Sequence, residues 1–293
     1  MSAIKGPMLM VGAMGIFAIQ DALIKDVSSR VPLAMITLVF GSIGTLVFWI
    51  AARQQGLRLF DLSLFRGAVA GRAALEVLAT TGVMVSLSLV PLSVFASIMQ
   101  VMPLVVTLGA ALLLGEKVGW RRWLAIGVGF IGVLMILRPG AGFDPYALVP
   151  LVTVLAMSMR DLITRKIPPG IPSLLLSGWG FMAVFPSAAL LALAEDEVLI
   201  QAPALDWFVM TLVALTGVVA YSMLVVATRI GDVSLTTPFR YSRLIFAMML
   251  GIVFFGERPD LLTYIGSALV VGAGLFTLLR ERALRRRVAV AET

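Results

Sequence analysis

Between Pro7 and Arg280 the chain is a succession of ten apolar runs, each close to the twenty residues that an α-helix needs to cross the hydrocarbon of a bilayer. Hydrocarbon offers no partner for a backbone N–H or C=O, so a run of this kind must satisfy its polar groups internally, as a helix does. The expected fold class is an all-α membrane protein with ten transmembrane helices, at about 7–25, 32–52, 67–90, 91–114, 119–138, 145–164, 171–194, 204–230, 233–255 and 260–280. With 60% apolar and 13% charged residues and a mean hydropathy of +1.04, the composition lies outside that of a water-soluble domain of this length. The longest hydrophilic connection, Arg53 to Arg66, is too small to fold as a nucleotide-binding or catalytic domain, which excludes an ATP motor on this chain.

Lysine and arginine set the expected orientation, because cytoplasmic loops retain them during insertion. With the N-terminus inside, fifteen of them fall in cytoplasmic segments and only Lys25, Arg30, Arg138 and Arg258 fall outside. Both termini are therefore expected to be cytoplasmic. The same bias accounts for most of the net charge of +7, whose densest stretch is the basic tail 281–293 with Arg282, Arg285, Arg286 and Arg287. Such a tail after a last span is a topogenic or lipid-facing feature, and no nucleic-acid partner is expected. Trp49, Trp120, Trp123, Trp207 and Tyr146 fall near span ends, as an interfacial aromatic belt requires, whereas Trp179 sits within a span.

An internal repeat organises the chain. A shift of 140 places Asp21 on Asp161, Lys25 on Arg165 and Pro32 on Pro172. A shift of 141 places Ser93 on Ser234 and Gly115-Glu116-Lys117 on Gly256-Glu257-Arg258. The first span thus has an internal counterpart and is read as part of the mature fold rather than as a signal peptide. The copies are 7–138 and 145–280, and since each holds five spans, an odd number, the second enters the membrane upside down relative to the first. Inverted five-helix repeats permit two pseudo-symmetric states, one open to each side, which is the architecture of alternating access.

At Pro103 through Gly115-Glu116-Lys117, and at Pro238 through Gly256-Glu257-Arg258, the chain resembles the drug/metabolite transporter superfamily in its EamA-type branch. The two segments differ in that Leu244 occupies the position matching Pro103. The resemblance implies ten spans in two five-span domains and export of amino acids and related metabolites, in the manner of bacterial aromatic-amino-acid exporters. The Gly-Glu segments themselves read as helix ends, where a glycine stops the helix and charge meets water. Ala125/Gly129 on the fifth span and Ala268/Gly272 on the tenth have the spacing that lets helices approach closely, and they are read as packing faces and a candidate homodimer contact.

Charges inside the hydrocarbon are more informative, since each costs about 2.5 to 3.5 kcal/mol at a helix centre and must face protein or water. Arg72 and Glu76 are i,i+4 neighbours on the third span, Arg160 and Asp161 end the sixth, and Arg240 and Arg243 share a stripe of the ninth with Thr236. Three readings stand: static ion pairs that fix packing, a gate built from Arg72, Glu76, Asp161, Arg240 and Arg243, or an arginine that meets a substrate carboxylate. Near the midplane the repeat pairs Gln100 with Tyr241, the expected floor of a substrate site. Ser93, Ser97, Gln100 and Thr107 form one polar stripe, and Trp179, Phe17, Met157 and Tyr221 are candidate walls of a mostly apolar cavity.

The chain contains no His and no Cys, so a histidine proton relay, thiol chemistry and the usual zinc sites are excluded, and no cofactor or metal is expected. If protons drive transport, Asp21, Glu76 or Asp161 must carry them. Absence of Asn removes any N-glycosylation acceptor, which accords with a bacterial inner membrane. The expected function is a secondary transporter that exports small metabolites, amino acids with aromatic or apolar side chains first among them. Import or facilitated passage of S-adenosylmethionine, riboflavin or a nucleobase-like compound is the alternative, and a channel is the alternative of another class. A membrane enzyme lacks an activated nucleophile with its base, and a purely structural membrane partner would carry no flux.

Overall fold

The computed structural model describes residues 2–60, 65–116, 119–138, 144–168, 170–230 and 236–291, with side chains from Lys5 to Ala227 and from Thr236 to Arg280. Lys117 of the first Gly-Glu-Lys segment, Ser234 of the repeat pairing and the side chains of the basic tail lie outside the described residues. Among the described residues the helices are α1 (Ser2–Val27), α2 (Leu33–Gln54), α3 (Ala68–Leu89), α4 (Leu92–Met99), α5 (Met102–Leu113), α6 (Trp120–Leu137), α7 (Leu148–Thr164), α8 (Ser173–Met182), α9 (Val184–Ala192), α10 (Ala204–Ile230), α11 (Ser242–Phe255) and α12 (Leu261–Ala291). They supply ten stretches long and apolar enough to cross a membrane, with α4 and α5 together making the fourth and α8 and α9 the seventh.

The interruptions have a common chemical cause. Pro103 has no N–H to give the carbonyl of Met99, and its ring crowds that carbonyl, so the fourth span breaks at Gln100 and Val101. Pro186 does the same to Met182, and the seventh span breaks at Ala183. The ninth span opens with a 3-10 turn, Thr237–Tyr241, that carries Pro238 and gives way to α11 at Ser242. The breaks of the fourth and ninth spans fall at repeat-equivalent places although their prolines do not: Pro103 follows Gln100 by three residues and Pro238 precedes Tyr241 by three. The mismatch between Leu244 and Pro103 therefore leaves the symmetry of the breaks intact.

Packing divides the chain into two compact units that each draw helices from both copies of the repeat. One comprises Met1–Ile19, Pro91–Pro145 and Val219–Thr293, and the other Gln20–Val90 and Tyr146–Val218. In the first unit α12 lies along α6, α11 against α4, and α4 also meets α6 and α12. The α6–α12 contact is a main-chain contact: a Cβ on Gly132 would stand 2.6 Å from the Gly266 carbonyl oxygen, and one on Gly266 equally close to that of Gly132. Gly129 faces Leu104 and Ala273 in the same seam, and Ala125 is buried. This stripe of the fifth span is thus filled by the chain itself and is not available to a second copy. On the tenth span the inward positions are Gly266, Val270 and Ala273, while Ala268 and Gly272 point outward, which corrects the expectation that both stripes are packing faces.

In the second unit α3 packs on α7 and α9, and α2 on α8 and α9. Phe181 fills the space left by Gly44, stacks on Phe48 at 5.1 Å and meets Phe40 in a tilted contact at 5.2 Å. Trp120, Trp123, Trp207 and Tyr146 are exposed near helix ends, with Arg121 over the Trp120 ring at 5.3 Å. Charged side chains serve the helix termini: Lys25 Nζ donates to the Val90 carbonyl at the end of α3, and Arg30 is held above its ordinary pKa by hydrogen bonds to Asp26 and Asp206. At the start of α12, Asp260 accepts from the Thr263 hydroxyl (2.8 Å) and Thr263 N–H, and pairs with Arg138.

Two predictions follow from these contacts. Gly132→Val must force the α6 and α12 backbones apart and is expected to cost about 3 kcal/mol or more, read as a lower midpoint of thermal unfolding in detergent. The Thr263 hydroxyl bond first, then Arg138, hold the Asp260 carboxylate below its ordinary pKa. Its stabilising contribution is therefore complete above the ordinary carboxylate range and fades as pH falls through the lowered value. Asp260→Asn should lower stability in the neutral region and flatten the acid limb of the profile, so that variant and parent converge at low pH.

Candidate functional site

The sequence-derived candidates divide between the two units. Phe17, Ser97, Gln100, Tyr221, Arg240, Tyr241 and Arg243 belong to the first, and Asp21, Arg72, Glu76, Met157, Asp161 and Trp179 to the second.

In the first unit Gln100 caps the C-terminal end of α4 and Tyr241 closes the 3-10 turn ahead of α11, so each sits at a break in its span. Both are more than nine-tenths buried, at 8% and 7% exposure, and Gln100 Nε2 and the Tyr241 hydroxyl have no hydrogen-bond partner among the described residues. The Tyr241 hydroxyl rests against the backbone of α12 at Gly274, where any side chain would displace it. Ser97 is fully buried and already engaged: its hydroxyl donates to the Ser93 carbonyl at 2.6 Å and accepts from Ser267 at 2.7 Å. It ties α4 to α12 one turn before Gln100. Thr107 likewise donates to the Pro103 carbonyl. Arg243 lies over the Phe17 ring at 5.2 Å, a cation–π contact that joins α11 to α1, and Tyr221 is half-buried on α10.

In the second unit four charges form one cluster. Arg160 on α7 donates to Glu76 on α3 at 2.9 Å and to Asp161 at 2.9 Å, and Arg72 lies 3.5 Å from the other Glu76 oxygen while giving a hydrogen bond to the Leu176 carbonyl of α8. Two arginines balance two carboxylates, and the cluster fastens α3 to α7 and α8. Arg160 was legible as a charge beside Asp161, yet nothing in the sequence says that it reaches Glu76, 84 residues away. Asp21, the repeat partner of Asp161, is buried at 3% exposure. Trp179 is a core residue whose indole N–H donates to the Leu59 carbonyl at 2.7 Å. Its ring also lines an apolar cavity of about 300 Å³ with Phe65, Ala73, Val77, Met182 and Pro186. Met157 is half-buried on α7.

The Gly-Glu segments do more than end helices. Gly115 and Gly256 adopt left-handed φ values of 69° and 62°, and the next N–H in each case returns to a carbonyl six residues back, as a helix-terminating glycine should. The Glu257 carboxylate, however, accepts the backbone N–H groups of Leu92 and Ser93 at the start of α4, the latter at 2.9 Å. In the second unit Glu195 does the same for Leu33 and Ala34 at the start of α2, at 2.6 and 3.1 Å.

Ten spans, duplicated five by five and broken at equivalent points that carry buried polar groups, define a polytopic membrane transporter. The EamA-like transporter family pattern matches this chain twice, over residues 4–138 and 145–279. The chain belongs to the EamA family of the drug/metabolite transporter superfamily. It is similar to a riboflavin transporter of Rhizobium johnstonii, 30% identical over 219 residues that cover 74% of this chain and 72% of the relative. It is also similar to the pseudopaline exporter of Pseudomonas aeruginosa, 26% identical over 92% of this chain and 94% of that one. An S-adenosylmethionine uptake transporter of Rickettsia prowazekii is 25% identical over 67% of this chain and 66% of its own length. A protein of known crystal structure, 20% identical, shares the fold with a TM-score of 0.62 over 96% of this chain and 98% of that chain.

The charge cluster yields its own test. Glu76→Gln leaves Arg72 without a carboxylate and Arg160 with Asp161 alone in a nearly dry site, and is expected to destabilise the protein by about 3 kcal/mol. Adding Arg160→Gln should recover a good part of that loss, measured by thermal unfolding in detergent. Additive losses would show that the two side chains do not act as a pair.

Proposed function

We propose that the protein is a secondary transporter that exports a small metabolite by alternating access, with Gln100 and Tyr241 as substrate contacts. The observation that carries this reading is the pair of unpartnered polar groups at repeat-equivalent helix breaks. A buried donor left without an acceptor costs about 1–3 kcal/mol, so two of them at matched positions call for a purpose. Broken helices are also where transporters of repeated architecture hold their substrates.

Both groups can donate, so their complement is a hydrogen-bond acceptor: a carboxylate oxygen or a ring carbonyl. An amino acid, aromatic or apolar, offers the first. Riboflavin offers the second and S-adenosylmethionine the first, which supports a second reading in which the chain carries a compound of that kind, inward or outward. Ser97 supports Gln100 from behind rather than touching substrate, and Phe17 and Tyr221 are wall candidates of the same unit. The Arg72–Glu76–Arg160–Asp161 cluster acts as a structural tie. Asp21, a buried carboxylate within the first span, is the proposed proton carrier. The bacterial inner membrane, with both termini cytoplasmic, is the proposed location, and Ala268/Gly272 the proposed face of any homodimer.

Counterflow into proteoliposomes tests the reading with phenylalanine, tryptophan, riboflavin, S-adenosylmethionine and a nucleobase, each with and without a pH gradient. Saturable counterflow of at least one compound is expected. Tyr241→Phe and Gln100→Ala should each raise its KM about tenfold, the value of one hydrogen bond to substrate. Asp21→Asn should abolish accumulation driven by the pH gradient and spare counterflow. Unsaturable conductance would replace the carrier by a pore, and absence of flux across the panel would overturn the substrate assignment.

A further inference from the structure

We infer that Glu257 is a positioning residue of the transport site: its carboxylate pins the start of α4 to the end of α11 and so fixes where Gln100 stands. The inference rests on the reading of Gln100 as a substrate contact.

The first turn of any helix carries backbone N–H groups with no partner inside the helix. The residue ahead of α4 is Pro91, which supplies no side-chain cap. The acceptor comes instead from Glu257, about 165 residues onward, whose two oxygens take the N–H groups of Leu92 and Ser93. Negative charge at a helix N-terminus is favoured by the aligned peptide dipoles, and bonds to a carboxylate are stronger than those to a neutral acceptor. Two features of α11 and its end allow this reach. Gly256, in the left-handed region, turns the chain at the helix end. Gly251 leaves room for the returning side chain, since a Cβ there would stand 2.9 Å from the Glu257 carboxyl carbon.

α4 is only eight residues long, so its pinned first turn and its terminal Gln100 are separated by about 12 Å of helix. Over that distance a helix is stiff, and Ser97, bonded to Ser267 of α12, holds its middle. Displacement of the first turn must therefore move Gln100. The second unit contains a natural control. Glu195 holds the first turn of α2 by the same two-bond arrangement behind Pro32, but α2 carries no candidate site residue.

The test compares Glu257→Gln, Gly251→Ala and Glu195→Gln in the full-length protein. Hydrogen exchange in detergent is expected to rise about tenfold at Leu92 and Ser93 for the first two variants, and at Leu33 and Ala34 for the third. In riboflavin and S-adenosylmethionine counterflow, Glu257→Gln and Gly251→Ala should raise KM at least fivefold with the maximal rate held within about twofold. Glu195→Gln should leave KM unchanged. A general loss of folded protein would lower the maximal rate and spare KM, so the split separates positioning from mere destabilisation. Wild-type exchange at Leu92 and Ser93 in both α4 variants would overturn the strut, as would an equal rise of KM in Glu195→Gln. If wild-type protein carries neither compound, that failure falls on the substrate reading, and the Gln100→Cys variant of this cysteine-free chain carries the test. Its maleimide labelling rate should change at least threefold on adding Glu257→Gln, and an unchanged rate would overturn the inference.

Discussion

The obligation of every buried backbone polar group to find a partner governs this structure more than any side-chain contact does. Along the middle of a span the helix meets the obligation by itself, which is why long apolar runs translate so directly into spans. At the ends and at the breaks it cannot, and the few charged residues of this chain are spent there. Lys25 serves the carbonyl end of α3, Asp260 the amide end of α12, and Glu195 and Glu257 the amide ends of α2 and α4. At the breaks of the fourth and ninth spans, by contrast, Gln100 Nε2 and the Tyr241 hydroxyl have no partner among the described residues. On the proposed reading, the difference between these two classes of helix end separates architecture from site.

Much of the fold was legible because the bilayer imposes a length. Spans, copies and odd-numbered inversion follow from counting, and the shift of 141 that overlays Ser93 on Ser234 also overlays Gln100 on Tyr241. The choice of neighbours was not legible, since an apolar surface does not name its partner. The helices of the two copies are interleaved in each compact unit. Ala125 and Gly129 could be read as a packing face, yet that Ala273 rather than Gly272 would meet Gly129 depends on a rotation of α12 that spacing leaves open. The same limit hid the reach of Arg160 to Glu76 and of Glu257 to Leu92, both between residues far apart in the chain. Ser97 looked like a substrate contact for its place on a polar stripe, and only Ser267 opposite it shows where its hydroxyl is used.

Duplication makes the differences between copies informative. Arg160 and Asp161 on α7 correspond to Gln20 and Asp21 on α1, and Glu76 on α3 corresponds to Gly217 on α10. In one copy's setting an arginine meets a carboxylate across the helix pair. In the other's, the Gln20 amide lies so near Gly217 that no side chain fits there. An ionic joint and a steric joint thus occupy equivalent places, and they respond differently to salt, charge and strain. The element common to both copies is the acidic residue beside each joint, Asp21 in one and Asp161 in the other.

The seam between Gly132 and Gly266 has a mechanical meaning. Two helices whose main chains touch have no layer of side chains between them that could slide or repack, so α6 and α12 travel as one beam. Whatever flexing the first unit undergoes must be concentrated in its joints, at Gln100 and at Tyr241, where the hydrogen-bond ladder is already open. The stiffness of one glycine seam thereby turns the two helix breaks, rather than the helices that flank them, into the compliant points of the first unit.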